Sequence, residues 1–456
     1  MKIVHMQREF LLLNYKIKYI FILLLCFSTL LAEEFYIQEP ILNSQVYINI
    51  VGDEEKEPII FVHGLGDEAS TIWQESIEKL KNEYYIITFD LPGFGKSSKE
   101  NVEYTPEKYA QVLDFLVSKF LNNREFYLVG HSMGGAISLK YATMYQDKIK
   151  KLFIIDSAGV LHKDAYGEFM LKAQINKIVD ENNKSGLNSQ ISQFASNITS
   201  SITTILPKDL SGIVRDETIR KKILNTPNSI AALGLITENW FDIYKIKTPT
   251  MILWGENDNI TPLRTGYVLN YLLENSKFYI IKNSGHVPII ESKDEYFNYL
   301  NIFLTQDLVK EEITFKPMNN INRELNNNKG LLKNCSYKYL KIVNSNNLYL
   351  QNCNIEKLVV ENSNIYIIDS QIGGKDTAIT SYNSQINITS SIIKSDNGIR
   401  ISASKLDLAG VKIESKNRAI ISESENEIIF SLVTIKSGIT SKIFHKKESM
   451  KHKQEY

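Results

Sequence analysis

Several features that would place a chain quickly are missing from this sequence. It has no charge surplus: Lys+Arg and Asp+Glu each number 52, so the formal net charge is zero. Without a basic excess, nothing marks a nucleic acid as a partner. Cysteine is scarce, with only Cys26, Cys335 and Cys353. These form no CxxC pair and no zinc-type spacing, which argues against a thiolate metal site. The apolar run from Tyr19 to Ala32 is short of the roughly 20 residues a membrane helix needs. Histidines number seven, which narrows any search for a catalytic base.

What is present is ordinary globular material. The 456 residues are 43% hydrophobic and 23% charged, enough for a sizeable core and for two or three folding units. Lys16 and Lys18 precede the apolar run, and Glu33 and Glu34 follow it. This is the layout of a secretory signal peptide over residues 1–34, or of an uncleaved N-terminal anchor, since Leu30 is not the small residue a cleavage site prefers. The protein is therefore expected to be exported: periplasmic, secreted or membrane-anchored. Cys26 lacks a preceding small residue, which argues against a lipoprotein.

Two textures follow. Over residues 35–305, β-rich apolar runs ending at Val62, Phe89, Val129, Ile155, Trp254 and Ile281 alternate with amphipathic stretches such as Thr105 to Leu121. In that stretch Pro106 suits a first helical turn and Thr105 its cap. The alternation predicts an α/β fold, with a mostly parallel sheet covered on both faces. Residues of about 160–240 break the rhythm with helical segments and polar interruptions, as expected for a helical cap over a site. A polar linker spans 306–329.

Over 330–438 an imperfect repeat appears. Alternating pairs recur at Leu348/Leu350, Ile365/Ile367, Ile386/Ile388, Leu406/Leu408 and Ile428/Phe430, with steps of 17, 21, 20 and 22 residues. Second anchors are Ile393, Ile413 and Ile435, followed by Ile399/Ile401 and Ala419/Ile421. Short strands between Asn/Ser-rich turns at this period describe an all-β solenoid. It resembles a right-handed parallel β-helix. Cys335 and Cys353 are about one coil apart, so they are either a disulfide or two packed thiols. Residues 439–456, with Lys446, Lys447, Lys451 and Lys453, read as a basic, solvated tail.

The chemistry centres on Phe126-Tyr-Leu-Val-Gly130-His131-Ser132-Met133-Gly134-Gly135. A strand runs into Gly-x-Ser-x-Gly and then into a helix, which is a nucleophile elbow. Ser132 needs a base and the base needs a carboxylate, in the order Ser, acid, His. His286, in Asn283-Ser-Gly-His286-Val-Pro288, is the base. His5 lies in the leader, His445 and His452 in the tail, His162 at the cap's start, and His63 and His131 within other motifs. Asp258, in Gly255-Glu-Asn-Asp258, is the acid, with Asp156 as a competitor at the end of an earlier strand. The oxyanion donors are the backbone N–H groups of Met133 and of Leu65, in His63-Gly64-Leu65-Gly66. His63 itself reads as a histidine that shapes this loop.

With these motifs and Asp90-Leu-Pro-Gly93-Phe-Gly95-Lys-Ser97, residues 45 to 305 resemble the α/β-hydrolase superfamily, in its serine branch with a helical cap. The resemblance implies two-step acyl transfer with no metal or cofactor, on a small-molecule or acylated substrate. Carboxylic ester hydrolysis is the expectation. Alternatives are a carbon–carbon or peptide bond hydrolase of the same fold, and a non-catalytic surface or glycan-binding protein retaining a hydrolase shell. The solenoid offers a surface for glycan contact. It does not read as an enzyme itself, because Asp369, Lys394 and Arg400 are scattered.

Overall fold

The computed structural model describes residues 33–122, 124–170, 210–437, 440–451 and 454–456. The leader reading falls outside the described residues, as does the middle of the cap. No helix among the described residues is long and apolar enough to cross a membrane.

The first half is an eight-stranded sheet of β1 (Glu33–Gln38), β2 (Gln45–Val51), β3 (Pro58–Val62), β4 (Tyr85–Phe89), β5 (Phe126–His131), β6 (Ile149–Ile155), β7 (Thr250–Gly255) and β8 (Ser276–Ile281). The spatial order is β1-β2-β4-β3-β5-β6-β7-β8. β1 and β2 are antiparallel additions. The β4-β3-β5-β6-β7-β8 ladder is parallel. Alternate side chains of each strand enter opposite cores. Ile60, Val62 and Leu128 pack on one face, while Ile59, Phe61, Tyr127 and Val129 pack on the other.

The helices are α1 (Gln74–Leu80), α2 (Pro106–Leu121), α3 (Met133–Tyr145), α4 (Leu210–Arg215), α5 (Glu217–Ile223), α6 (Pro227–Thr237), α7 (Leu263–Leu272), α8 (Pro288–Glu291) and α9 (Lys293–Thr305). Thr105 caps α2 by accepting the Lys108 N–H at 3.2 Å, with Pro106 in the first turn. Residues 163–170 are helical and open the cap. α4, α5 and α6 return from it to the sheet.

The second half is a solenoid of parallel strands. One ladder stacks Gly330–Lys333, Asn346–Gln351, Asn364–Ile368, Gln385–Thr389, Lys405–Ala409 and Asn426–Ser437. In it Leu348, Ile365, Ile386, Leu406 and Ile428 lie in one column, and Leu350, Ile367, Ile388, Leu408 and Phe430 in the next. All ten are buried. In the opposite ladder Ile399 pairs with Ile420, so Ala419/Ile421 is not the matching anchor pair. An irregularity between Ser395 and Asn397 shifts the register by one residue there.

The Asn/Ser turns have a physical logic. Asn344, Asn362, Asn383 and Ala403 all adopt left-handed backbone, with φ of 51°, 49°, 45° and 47°, a conformation asparagine tolerates well. The next residue is a buried serine in each coil. Its hydroxyl accepts a backbone N–H from the preceding coil: Ser345 N to Ser363 Oγ at 2.9 Å, then Ser363 N to Ser384 Oγ at 3.0 Å. A second turn column holds Asn334, Asn352, Asp369, Ser390, Gly410 and Leu432, all left-handed. Cys335 and Cys353 follow the first two and take the positions that Ser370 and Ser391 hold further on. They are joined as a disulfide, with Cα atoms 4.4 Å apart.

Both ends of the solenoid depart from expectation. Asn322–Asn326, inside the linker, is already a strand paired with Ser336–Val343. The described part of the basic tail forms strands: Thr440–Met450 runs antiparallel to Asn426–Ser437, and Gln454–Glu455 pairs with Ile421 and Ser422. Composition hid this because the strand's apolar residues are sparse. Met450 is buried, and Phe430, Phe444 and Tyr456 cluster beneath Lys446. The strand covers the open end of the stack, whose unpaired backbone would otherwise be exposed.

Candidate active site

β5 delivers Ser132 into a sharp turn at φ 55° and ψ −117°, and α3 begins at once with Met133. The turn demands glycine on both sides. A Cβ on Gly130 would sit 2.3 Å from the Gly134 carbonyl oxygen, and one on Gly134 would sit 2.1 Å from that of Val62. The strained serine is thereby held at the top of the sheet.

Two loops from neighbouring strands meet it. His286 follows β8, and its Nε2 lies 2.9 Å from Ser132 Oγ. Asp258 follows β7, and its Oδ2 lies 2.8 Å from His286 Nδ1. All three are buried. Asp258 Oδ1 also accepts the N–H groups of Ile260 and Thr261, at 2.7 and 2.9 Å, and Oδ2 accepts the Thr261 hydroxyl at 2.6 Å. Burial alone would raise this carboxyl, but His286, the Thr261 hydroxyl and the Ile260 N–H outweigh it and hold the group below the ordinary range. An ionised Asp258 only accepts. Nδ1 of His286 therefore carries the proton, and Nε2 is left to accept from Ser132.

Asp156, the competing acid, belongs to the same buried cluster, but His286 bonds to Asp258. Asp156 Oδ1 accepts the Gly255 N–H at 2.8 Å, and its carboxyl faces that of Asp258. Burial, and then the charge of Asp258, push the Asp156 carboxyl well up.

His63 shapes its loop. Its Nε2 accepts the Leu91 N–H at 2.9 Å, so Nδ1 donates to the Gly64 carbonyl at 2.6 Å. Burial lowers it to about 4, so the ring is neutral. Gly64 approaches the nucleophile so closely that a Cβ there would lie 3.0 Å from Ser132 Cβ. Leu65 follows it, and Met133 carries the first N–H of α3, which has no acceptor within the helix. His162 stands apart from the catalytic cluster: its backbone N–H donates to Ser431 Oγ at 2.9 Å.

Three groups at the site carried no recognisable signal in the sequence. His131 Nε2 donates to the His286 carbonyl at 2.8 Å. Burial, and then the neighbouring His286, lower it to about 3 and keep it neutral. Glu291 accepts the Gly285 and Val287 N–H groups, at 2.6 and 3.0 Å, and fixes the loop around His286. Thr261 orients Asp258. Beyond the loops, Ala158, Leu161, Tyr166, Ala232 and Ile236 line an apolar cavity of about 10 Å³. Tyr166, Met170, Ala232 and Ile260 pack together with Leu65.

Fold and site together define a hydrolase of the α/β class. The sequence model of the alpha/beta hydrolase fold family matches residues 57–293, and the chain belongs to that family. It is 26% identical to a 2-hydroxy-6-oxo-6-(2'-aminophenyl)hexa-2,4-dienoic acid hydrolase of Metapseudomonas resinovorans, over 60% of this chain and 93% of that protein. It is 28% identical to Lipase 1 of Psychrobacter immobilis, over 54% of this chain and 75% of the lipase. A solved thermophilic esterase from Thermogutta terrifontis superposes with a TM-score of 0.44 at 23% identity, over 60% of this chain and 98% of that one. The solenoid lies beyond the family match.

Proposed function

We propose that this protein is a serine hydrolase of carboxylic esters, with Ser132, His286 and Asp258 as its triad. The observation that carries this is the unbroken chain from Ser132 Oγ through both nitrogens of His286 to Asp258, at 2.9 and 2.8 Å. His286 takes the Ser132 proton as the oxygen attacks the acyl carbonyl. Met133 and Leu65 N–H groups stabilise the oxyanion, and His286 then protonates the leaving alcohol. Water, deprotonated by His286, releases the acid. Asp258 stabilises the imidazolium throughout.

The test is labelling with a fluorophosphonate probe beside hydrolysis of p-nitrophenyl esters. Covalent labelling of Ser132 with ester turnover is the expected result. Absence of both from the parent, or their survival in Ser132→Ala, would overturn the assignment.

We propose export as well, supported by the leader composition and by the Cys335–Cys353 bond, since such bonds persist in oxidising compartments. Recovery of the protein only from the cytoplasm would refute it. Glycan contact through the solenoid has one specific support. Tyr349, partly exposed, stacks on Tyr366 at 4.6 Å and 12°, which puts two tyrosines in one column on the same face of adjacent coils. Loss of polysaccharide retention in Tyr349→Ala is expected, and a parent that no polysaccharide retains would rule it out.

A further inference from the structure

The helix that follows the acid loop, α7 (Leu263–Leu272), begins without a side-chain cap. Pro262 is its N-cap and offers the first turn no acceptor. At α2 and α6 a threonine does this work. The stretch that enters α7 also carries the acid. Asp258 accepts from Ile260, from His286 and twice from Thr261, through the Thr261 N–H at 2.9 Å and its hydroxyl at 2.6 Å. Thr261, Pro262, Leu263 and Arg264 are consecutive. From the sheet side, Trp254 Nε1 donates to the Thr261 carbonyl at 3.1 Å.

The other side is held by the solenoid. Arg264, in the first turn of α7, commits all three guanidinium nitrogens to it. Nε donates to Thr389 Oγ1, Nη1 to the Asp407 carboxylate, and Nη2 to the carbonyls of Ile388 and Asp407. These acceptors lie on Gln385–Thr389 and Lys405–Ala409, which pair as neighbours in the stack. They come together only when both coils are folded. The planar fork of arginine suits several acceptors at once, where a lysine would supply a point charge. The Arg264 side chain is 20% exposed and that of Asp407 6%, so water and salt screen the contact little. Further along α7, Gln351 Nε2 donates to the Tyr267 hydroxyl at 3.3 Å. Gly410 lies against Val268, where a Cβ would come within 3.2 Å of Val268 Cγ1.

We propose that Arg264 is a positioning residue for the catalytic acid: it ties the first turn of α7 to the solenoid, which fixes Thr261 and, through it, Asp258 against His286. This rests on the triad of the ester hydrolase reading. The solenoid thereby acts on the reaction without touching the substrate. Asp258 stabilises the imidazolium only while its carboxylate stays on Nδ1 of His286. A loosened acid weakens the transition state and not the substrate complex, so the loss falls on kcat and not on KM. Trp254 still holds the Thr261 carbonyl without Arg264, so the loss is a fraction of that from removing the carboxylate.

The experiment uses the full chain with Arg264→Met and two readouts. One is kcat and KM on p-nitrophenyl butyrate, at a temperature where calorimetry shows every variant folded. The other is the far-downfield proton resonance of His286 Nδ1–H, which needs no substrate. Lys310→Met is the control, because Lys310 donates to the carbonyls of Tyr271 and Leu273, at 3.3 and 2.6 Å, at the far end of the same helix. Arg264→Met is expected to lower kcat about tenfold with KM within about twofold, and to broaden or shift the resonance. Lys310→Met should move neither. Thr389→Val, which removes one acceptor, should lower kcat about threefold, and it decides the matter if Arg264→Met does not fold. An active parent whose kcat is unmoved by both Arg264→Met and Thr389→Val overturns the proposal. So do equal losses in Arg264→Met and Lys310→Met, which would reduce the effect to helix stability. A parent with neither ester turnover nor fluorophosphonate labelling overturns the ester reading instead. The resonance then decides the positioning claim, and an unmoved signal in Arg264→Met overturns it.

Discussion

Arg264 and Asp407 are 143 residues apart in sequence and 2.5 Å apart in space. Arg264 lies on α7, just after the Asp258 loop, and Asp407 lies on a solenoid strand. The guanidinium also donates to Thr389 Oγ1 at 2.7 Å and to the carbonyls of Ile388 and Asp407, at 3.0 and 2.9 Å. Removing one member of a largely buried, multiply bonded pair leaves the other uncompensated. Arg264→Met should therefore cost about 3 kcal/mol, measured as a shift of the urea midpoint. Hydrolase and solenoid probes should still unfold in one transition.

The triad and its neighbour separate cleanly by substitution. Asp258→Asn should lower kcat roughly ten-thousandfold by disturbing the His286 tautomer. Asp156→Asn keeps the oxygen that accepts the Gly255 N–H and adds no charge, so kcat at pH 7 should stay within about threefold. Steady-state kinetics on one ester decide it. Equal losses in the two variants would show that both carboxyls serve His286.

Asp369 offers a pH test of the solenoid. Burial raises its carboxyl to about 7, partly offset by Lys333. The folded state thus keeps a proton that the unfolded chain releases above about pH 4. Stability must fall as pH rises from about 4 to about 7. Asp369→Asn removes that loss and suits the left-handed backbone at φ 47°. Its Tm should exceed the parent's at pH 8 and match it near pH 4, as read by calorimetry.

The disulfide closes a loop of sequence separation 18. On loop entropy it contributes about 3 kcal/mol. Because both cysteines occupy positions that hold serines in later coils, Cys335→Ser/Cys353→Ser should fold and lose about that much. Denaturant titration, with the circular dichroism of the sheet as a control, measures it.

The sequence announced what is built from short motifs at strand ends. The strand–Gly-x-Ser-x-Gly–helix pattern and the alternating Leu/Ile columns are local, so spacing alone reveals them. His131, Glu291 and Thr261 escaped because each acts on a neighbour's backbone or carboxylate, which leaves no pattern along the chain. Ser431 on His162 spans 269 residues and has no local signature at all. The Ala419/Ile421 anchor slipped by one residue because a bulge changes register without changing composition. The strand Thr440–Met450 was hidden by its lysines, because a run of basic residues reads as a solvated tail even where one of them, Lys446, lies over an aromatic cluster.

Leu432 and Ala409, from the last coils of the solenoid, belong to the same buried cluster as the hydrolase core, and this also orders events in time. A ribosome completes the serine elbow long before it makes those coils. A nascent or truncated chain would thus hold its elbow in a core that still lacks two of its residues. The hydrolase core is complete only once the solenoid has been made.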